Sequence, residues 1–173
     1  MVEDTLEVLI RAADVSDAER IARVHVSSWR EAYADLVPAE YLDGLDVAER
    51  ARDWAEHLEN PPRGSSTWVA AEGDAVLGFA ALGPSRDEDA DRSTLEIYAI
   101  YLEPSAWGRG VARDLMRTVL SSVPAGGVVT LWALDGNERA RHFYRRNGFQ
   151  PDGVERIEEI GGRPLTEIRY RRG

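Results

Sequence analysis

The 173-residue chain has no cysteine and no lysine; all 21 of its basic residues are arginine. Without cysteine there are no disulfides, cysteine-ligated zinc, iron–sulfur clusters or thiol catalysis. Without lysine, Schiff-base chemistry and the lysine-type phosphate loop fall away too. Histidine occurs only at 25, 57 and 142, with none at ligand spacing from another, so no metal site is expected. No long apolar run follows the acidic start Met1-Val2-Glu3-Asp4. Neither a secretory signal nor a transmembrane helix is expected, and the expected compartment is the cytoplasm. Positive charge is outnumbered, 31 acidic residues against 21 basic, for a formal net charge of -10. Phosphate backbones and anionic lipid repel such a surface, which argues against nucleic-acid and membrane partners. A G-x-S-x-G elbow is missing, so a serine hydrolase has no support.

What is present suits a globular protein. The chain is 43% hydrophobic and 30% charged, and its length suits a single domain over 1–173 with no need for a covalent staple. Leu6 to Arg11 reads as a strand, and Asp14 or Ser16 caps a helix carrying Ala18, Ile21, Ala22, His25, Trp29 and Ala32 at helical spacing. Short helical stretches follow at Pro38 and from Val47 to Leu58. Thr67–Glu72 and Val76–Leu82 form a hairpin around Gly73-Asp74. After an acidic loop (Asp87, Glu88, Asp89, Asp91) come a strand from Leu95 to Leu102, a helix from Gly110 to Ser121 and a strand from Val128 to Leu134. A helix from Asn137 to Arg146 and a hairpin turning at Gly161-Gly162 complete a mixed α/β order.

Two stretches carry chemistry. In Leu102–Arg113 (L-E-P-S-A-W-G-R-G-V-A-R) a strand ends, a glycine-containing loop turns and a helix begins. The free N–H groups of a helix start attract anions, phosphates above all. Gly108 and Gly110 leave room for close approach, and Arg109 and Arg113 add positive charge. A tight strand-to-helix turn without ligand has the same sequence. The dinucleotide fingerprint fails, since its third glycine is Arg113 and the unit lies too far along the chain. The second stretch is Asn137–Phe149 (N-E-R-A-R-H-F-Y-R-R-N-G-F). Asn137, Ala140 and Tyr144 share one helix face, with Asn137 and Tyr144 about 10 Å apart along the axis. They address two points of one extended ligand, or serve as an ordinary cap and a packed aromatic.

Together the two stretches resemble the GNAT N-acetyltransferase superfamily, which moves an acyl group from acyl-CoA to an amine. The family's loop, Gln/Arg-x-x-Gly-x-Gly/Ala, reads here Trp107-Gly108-Arg109-Gly110-Val111-Ala112, departing at Trp107. The Asn…Ala…Phe-Tyr…Asn-Gly-Phe motif is matched throughout. The resemblance implies a central, mostly antiparallel twisted sheet of 6–7 strands flanked by about four helices. It implies acetyl-CoA as acyl donor, with the pantetheine along backbone groups of Ile100, Tyr101 and Leu102 and the pyrophosphate on backbone N–H groups from Trp107 to Ala112. Asn137 would bond the pantetheine, and Tyr144 would protonate the departing thiolate. Arg113 is a further phosphate partner on physical grounds.

An ammonium acceptor must lose a proton before it attacks a thioester. Glu96 lies where related enzymes place such a base, and a solvated strand-end carboxylate is the competing reading. Tyr98 points to the same face by strand alternation. Trp29, Tyr33 and Tyr41 offer aromatic walls for an acceptor, a small-molecule or peptide amine, or else belong to the core. The acidic loop would draw a cationic amine or simply face solvent. A non-catalytic acyl-CoA sensor and a structural subunit pairing through Leu165–Tyr170 are the rival readings, and Tyr144 favours the enzyme. Monomer and homodimer are both left open.

Overall fold

The structure, a computed structural model, describes residues 6–173; the acidic start at Met1–Asp4 lies outside them. The first strand, β1 (Val8–Ala12), begins two residues after Leu6. Helices α1 (Ala18–Ala32), α2 (Ala39–Asp43) and α3 (Val47–Glu59) follow, then β2 (Ser66–Glu72), β3 (Ala75–Pro84) and β4 (Leu95–Leu102). The rest is α4 (Val111–Ser121), β5 (Val129–Leu134), α5 (Glu138–Arg146), β6 (Gln150–Ile160) and β7 (Arg163–Arg172). About four helices were expected. The described residues contain five α-helices, because the stretch after Pro38 folds as a separate short helix.

Local chemistry explains the helix starts. Asp14 and Asp17 make a reciprocal capping box ahead of α1, satisfying donors that a helix start leaves orphaned. Arg11 reaches both oxygens of the buried Asp17, at 2.8 and 2.9 Å. Asp46 caps α3 through the backbone N–H groups of Ala48 and Glu49.

The strands form one sheet in the order β1-β2-β3-β4-β5-β7-β6. Neighbours are antiparallel except β4 and β5. One face is covered by α4, whose Leu115, Met116 and Val119 pack with Ile97, Leu131, Phe149 and Tyr170. On the other, Ile21 and Val24 of α1 meet Val69, Val76 and Phe79. Each such side chain, fully buried, contributes about 1.5–3 kcal/mol.

Two irregularities in β4 position the site. Ala81 lies opposite Ala99 and Leu82 opposite Ile97, so Tyr98 is an unpaired bulge residue. The extra residue reverses the alternation. Before it, Leu95 and Ile97 face α4; after it, Ile100 and Leu102 do, while Ala99 and Tyr101 turn to α1. Beyond this, β4 pairs with β5 only at Leu95↔Val129 and Glu96↔Thr130. The strands then part, leaving one edge of β4 bare and a cleft through the sheet. Among the described residues no helix is long and apolar enough to cross a membrane.

Candidate active site

The cleft opens on the α4 side into a cavity of about 470 Å³. Ile100, Tyr101 and Leu102 line it from β4, and Asn137 and Tyr144 from α5. The loop and α4 contribute Trp107, Gly108, Gly110, Val111, Ala112 and Arg113. Of the loop residues singled out from sequence, Arg109 turns its side chain away and meets Glu72 at 2.5 Å. Its backbone stays in the loop.

Gly108 and Gly110 have φ of +79° and +82°, a region that glycine enters without strain. Gly110 is the N-cap of α4 and has no capping side chain, so the first N–H groups of that helix face the cavity unclaimed. Trp107, the departure from the family loop, ties the loop down: its Nε1 donates to Leu102 O at 3.3 Å. Its ring carries the Arg139 guanidinium 3.8 Å above the centroid, a cation–π contact. Burial and then the neighbouring Arg146 pull Arg139 below its ordinary pKa. Arg113, Arg139 and Arg146 all line the cavity, which runs on into a groove edged by Arg117 and Arg172. A chain of net charge -10 thus gathers five arginines on one side of its cleft, as an anion requires.

Asn137 caps α5, its Oδ1 accepting from Ala140 N at 3.3 Å. The capping reading therefore accounts for the oxygen, and the amide nitrogen is left over at the cavity wall. Tyr144 is buried against Phe143, Phe149 and Tyr170. Burial foremost, then Tyr101 and Tyr170, raises its phenol well above the ordinary value. It holds its proton throughout the neutral range.

On the α1 side is a second cavity, about 90 Å³, sharing Trp29, Tyr33 and Tyr101 with the first. Trp29 and Tyr33 meet edge to face at 4.9 Å. The Trp29 Nε1 is buried without a hydrogen-bond partner. Glu96 and Tyr98 line this cavity together, as strand alternation expects. Glu96 is not solvated: it is 2% exposed, and Arg86 donates to both oxygens, from its backbone N at 3.0 Å and its guanidinium at 2.7 Å. The Tyr98 hydroxyl donates to Pro84 O. Tyr41 lies elsewhere, packed on the turn at Gly161, and lines neither cavity.

The acidic loop is pinned rather than free. Asp87 and Asp89, with Asp152, converge on Arg169, whose side chain is 9% exposed. Asp91 accepts bonds from Ser93 and Thr94. Sequence reasoning passed over Arg86, Trp132, Arg156 and Glu167, all of which line the smaller cavity. The available signal was charge inside a strand: Glu167 and Arg169 alternate in the middle of β7, where solvent alone would not call for them.

The family model for the acetyltransferase (GNAT) family matches residues 23–149. An uncharacterized N-acetyltransferase of Bacillus subtilis, YuaI, is 32% identical over 165 residues, covering 93% of this chain and 90% of that protein. The PaiA N-acetyltransferase of Thermoplasma acidophilum, solved in complex with coenzyme A, superposes with a TM-score of 0.71 at 18% identity. That match covers 96% of this chain and 99% of the other. An N-acetyltransferase of Staphylococcus aureus Mu50 gives a TM-score of 0.72 at 22% identity, covering 95% and 97%. These two share the fold. With the family model spanning most of its length around the cleft just described, the chain belongs to the GNAT family of acetyltransferases.

Proposed function

We propose that the protein, acting as one domain over 1–173, transfers an acetyl group from acetyl-CoA to a primary amine by direct attack in a ternary complex. The observation that carries this reading is the meeting of two unlike cavities at Trp29, Tyr33 and Tyr101: one walled by arginines and a helix start, the other aromatic and lined by two arginine–glutamate pairs. The residues present fit the donor. Backbone N–H groups from Trp107 to Ala112 would take the pyrophosphate, with Arg113 beside them. The bare edge of β4 at Ile100, Tyr101 and Leu102 would pair with the pantetheine, and the spare amide nitrogen of Asn137 would bond it. Bound there, the thioester supplies an activated carbonyl carbon.

The chain's own groups then divide the proton work. Glu96, through water, accepts the proton that the acceptor's ammonium must lose. Backbone N–H groups on the bare β4 edge face the oxygen that gains charge during attack. Tyr144 gives its proton to the sulfur as the carbon–sulfur bond breaks. An acid that stays protonated at neutral pH suits that task, whereas a sensor that only binds has no use for one.

The test is thermal unfolding with acetyl-CoA, with NADH as the control. Saturation at about 100 times Kd adds about 2.7 kcal/mol to stability. Release of the CoA thiol with a panel of amines then separates enzyme from sensor. No shift at millimolar acetyl-CoA overturns the reading.

A further inference from the structure

We propose that the acceptor is an amine bearing its own carboxylate, the class of free amino acids, and that Arg86 and Arg156 grip that carboxylate in the smaller cavity. The inference rests on the transferase reading and narrows its acceptor.

The cavity holds two ion pairs, Arg86–Glu96 at 2.7 Å and Arg156–Glu167 at 3.0 Å. Its local formal charge therefore balances, which gives a plain cation such as a polyamine no net attraction. What distinguishes the two sides of the balance is access: the Glu96 and Glu167 side chains are 3% and 15% exposed, and those of Arg86 and Arg156 are 64% and 41% exposed. Arg86 bonds both Glu96 oxygens and Arg156 bonds one oxygen of Glu167. Arg86 uses only one guanidinium nitrogen and Arg156 only its Nε. Among the described residues, the Nε and one terminal nitrogen of Arg86, and both terminal nitrogens of Arg156, have no protein partner. Arg169 next door shows the contrast, with all three nitrogens engaged by carboxylates. The cavity thus offers donors, and it offers them as two guanidiniums.

Those guanidiniums are oriented. Arg86 lies over the Tyr98 ring at 4.3 Å and Arg156 over the Trp132 ring at 4.1 Å. Stacking occupies the planar faces and leaves the N–H edges, the part that takes a carboxylate in a two-pronged bond. Arg86 comes from the β3–β4 loop and Arg156 from β6, so the two stand on different elements. Toward the larger cavity the walls are Trp29, Tyr33 and Tyr101, which carry no charge. A carboxylate held at the arginine end would leave the same molecule's amine directed toward that aromatic junction. At about 90 Å³ the space suits a small zwitterion.

The experiment measures CoA thiol release from acetyl-CoA with each common L-amino acid, its amide, and amines without a carboxylate, namely spermidine, phenethylamine and a blocked-C-terminus dipeptide. At least one free amino acid is expected to exceed its amide in kcat/KM by about tenfold or more. Arg156→Gln should erase that preference by raising the amino acid's KM about tenfold, with the KM for acetyl-CoA unmoved. Arg86→Gln should do the same. Because Arg86 also satisfies the buried Glu96, Arg156 supplies the decisive variant. Equal use of acid and amide, preference for a carboxylate-free amine, or an unchanged Arg156→Gln each overturns the inference and leaves the transferase reading standing. Binding of acetyl-CoA without thiol release from any amine overturns the transferase reading itself, and this inference with it.

Discussion

The space left by Gly83, which has no side chain, is taken by the Tyr98 phenol: a Cβ at position 83 would lie 2.6 Å from the Tyr98 Oη. The bulge residue is thus seated on the neighbouring strand, with its hydroxyl on Pro84 O and Arg86 above its ring. Gly83→Ala should evict the ring at a cost of about 1–3 kcal/mol and raise the KM for the acceptor, with acetyl-CoA affinity unchanged. Adding Tyr98→Ala should recover part of the stability, since the two changes act on one contact. Chemical denaturation of the single and double variants checks the coupling, and additive losses would refute it.

Tyr144→Phe should lower kcat by about 10²-fold, the lower end of what a positioned acid contributes, because the ring stays and only the proton is removed. Isothermal titration should find acetyl-CoA affinity nearly intact. Equal turnover in variant and wild type would take Tyr144 out of the mechanism.

Gly110 stands at the start of α4 with φ +82°, so any side chain there carries backbone strain. A matched pair cancels it: Gly110→Asn and Gly110→Asp share size and shape and differ in charge. If the α4 start holds a pyrophosphate, Asp should weaken acetyl-CoA binding by about tenfold or more relative to Asn. Indistinguishable affinities in two folded variants would sink the phosphate assignment.

His25 predicts a pH dependence of stability. It accepts a bond at Nδ1 from the Trp54 indole at 3.3 Å and stacks on Tyr101 at 5.3 Å. Burial first, then Arg50, pushes its pKa from the ordinary 6.5 down to about 4. Between those values the unfolded chain holds a proton that the folded one refuses, so stability is full above pH 6.5 and falls as pH drops toward 4. The total is about 3 kcal/mol, at about 1.36 kcal/mol per pH unit. His25→Gln should flatten urea-derived stability across that window; an unaltered slope would show that His25 does not cause it.

Element order was readable from sequence because local punctuation marks much of it: Asp14 or Ser16 ahead of the first helix, and Gly73-Asp74 and Gly161-Gly162 as turns. Most of the larger cavity's lining falls in two short continuous motifs, which sequence displays directly; its α1 wall at Ser28, Trp29, Ala32 and Tyr33 comes from far along the chain. The smaller cavity was not readable. Its Arg86, Trp132, Arg156 and Glu167 sit on four separate segments, and only the sheet order brings them together. The Tyr98 bulge was hidden for a related reason. Periodicity places residues 96, 98, 100 and 102 on one face, and only the register against β3 shows that the phase changes after 98. The pairing of Arg86 with Glu96 likewise turned a strand-end carboxylate into a buried one.

Where β4 and β5 part, the molecule has a seam. Four strands lie on one side and three on the other, and across it the two strands register at only two residue pairs. An extended ligand laid along the bare edge of β4 would act as an eighth strand in the middle of the sheet, giving its backbone groups the partners that β5 withdraws. Each bond it made there would also be a stitch between the two halves. Affinity for such a ligand and resistance to the halves coming apart would then be one quantity measured in two ways, and the free protein would be the half-closed form of a sheet that its ligand finishes.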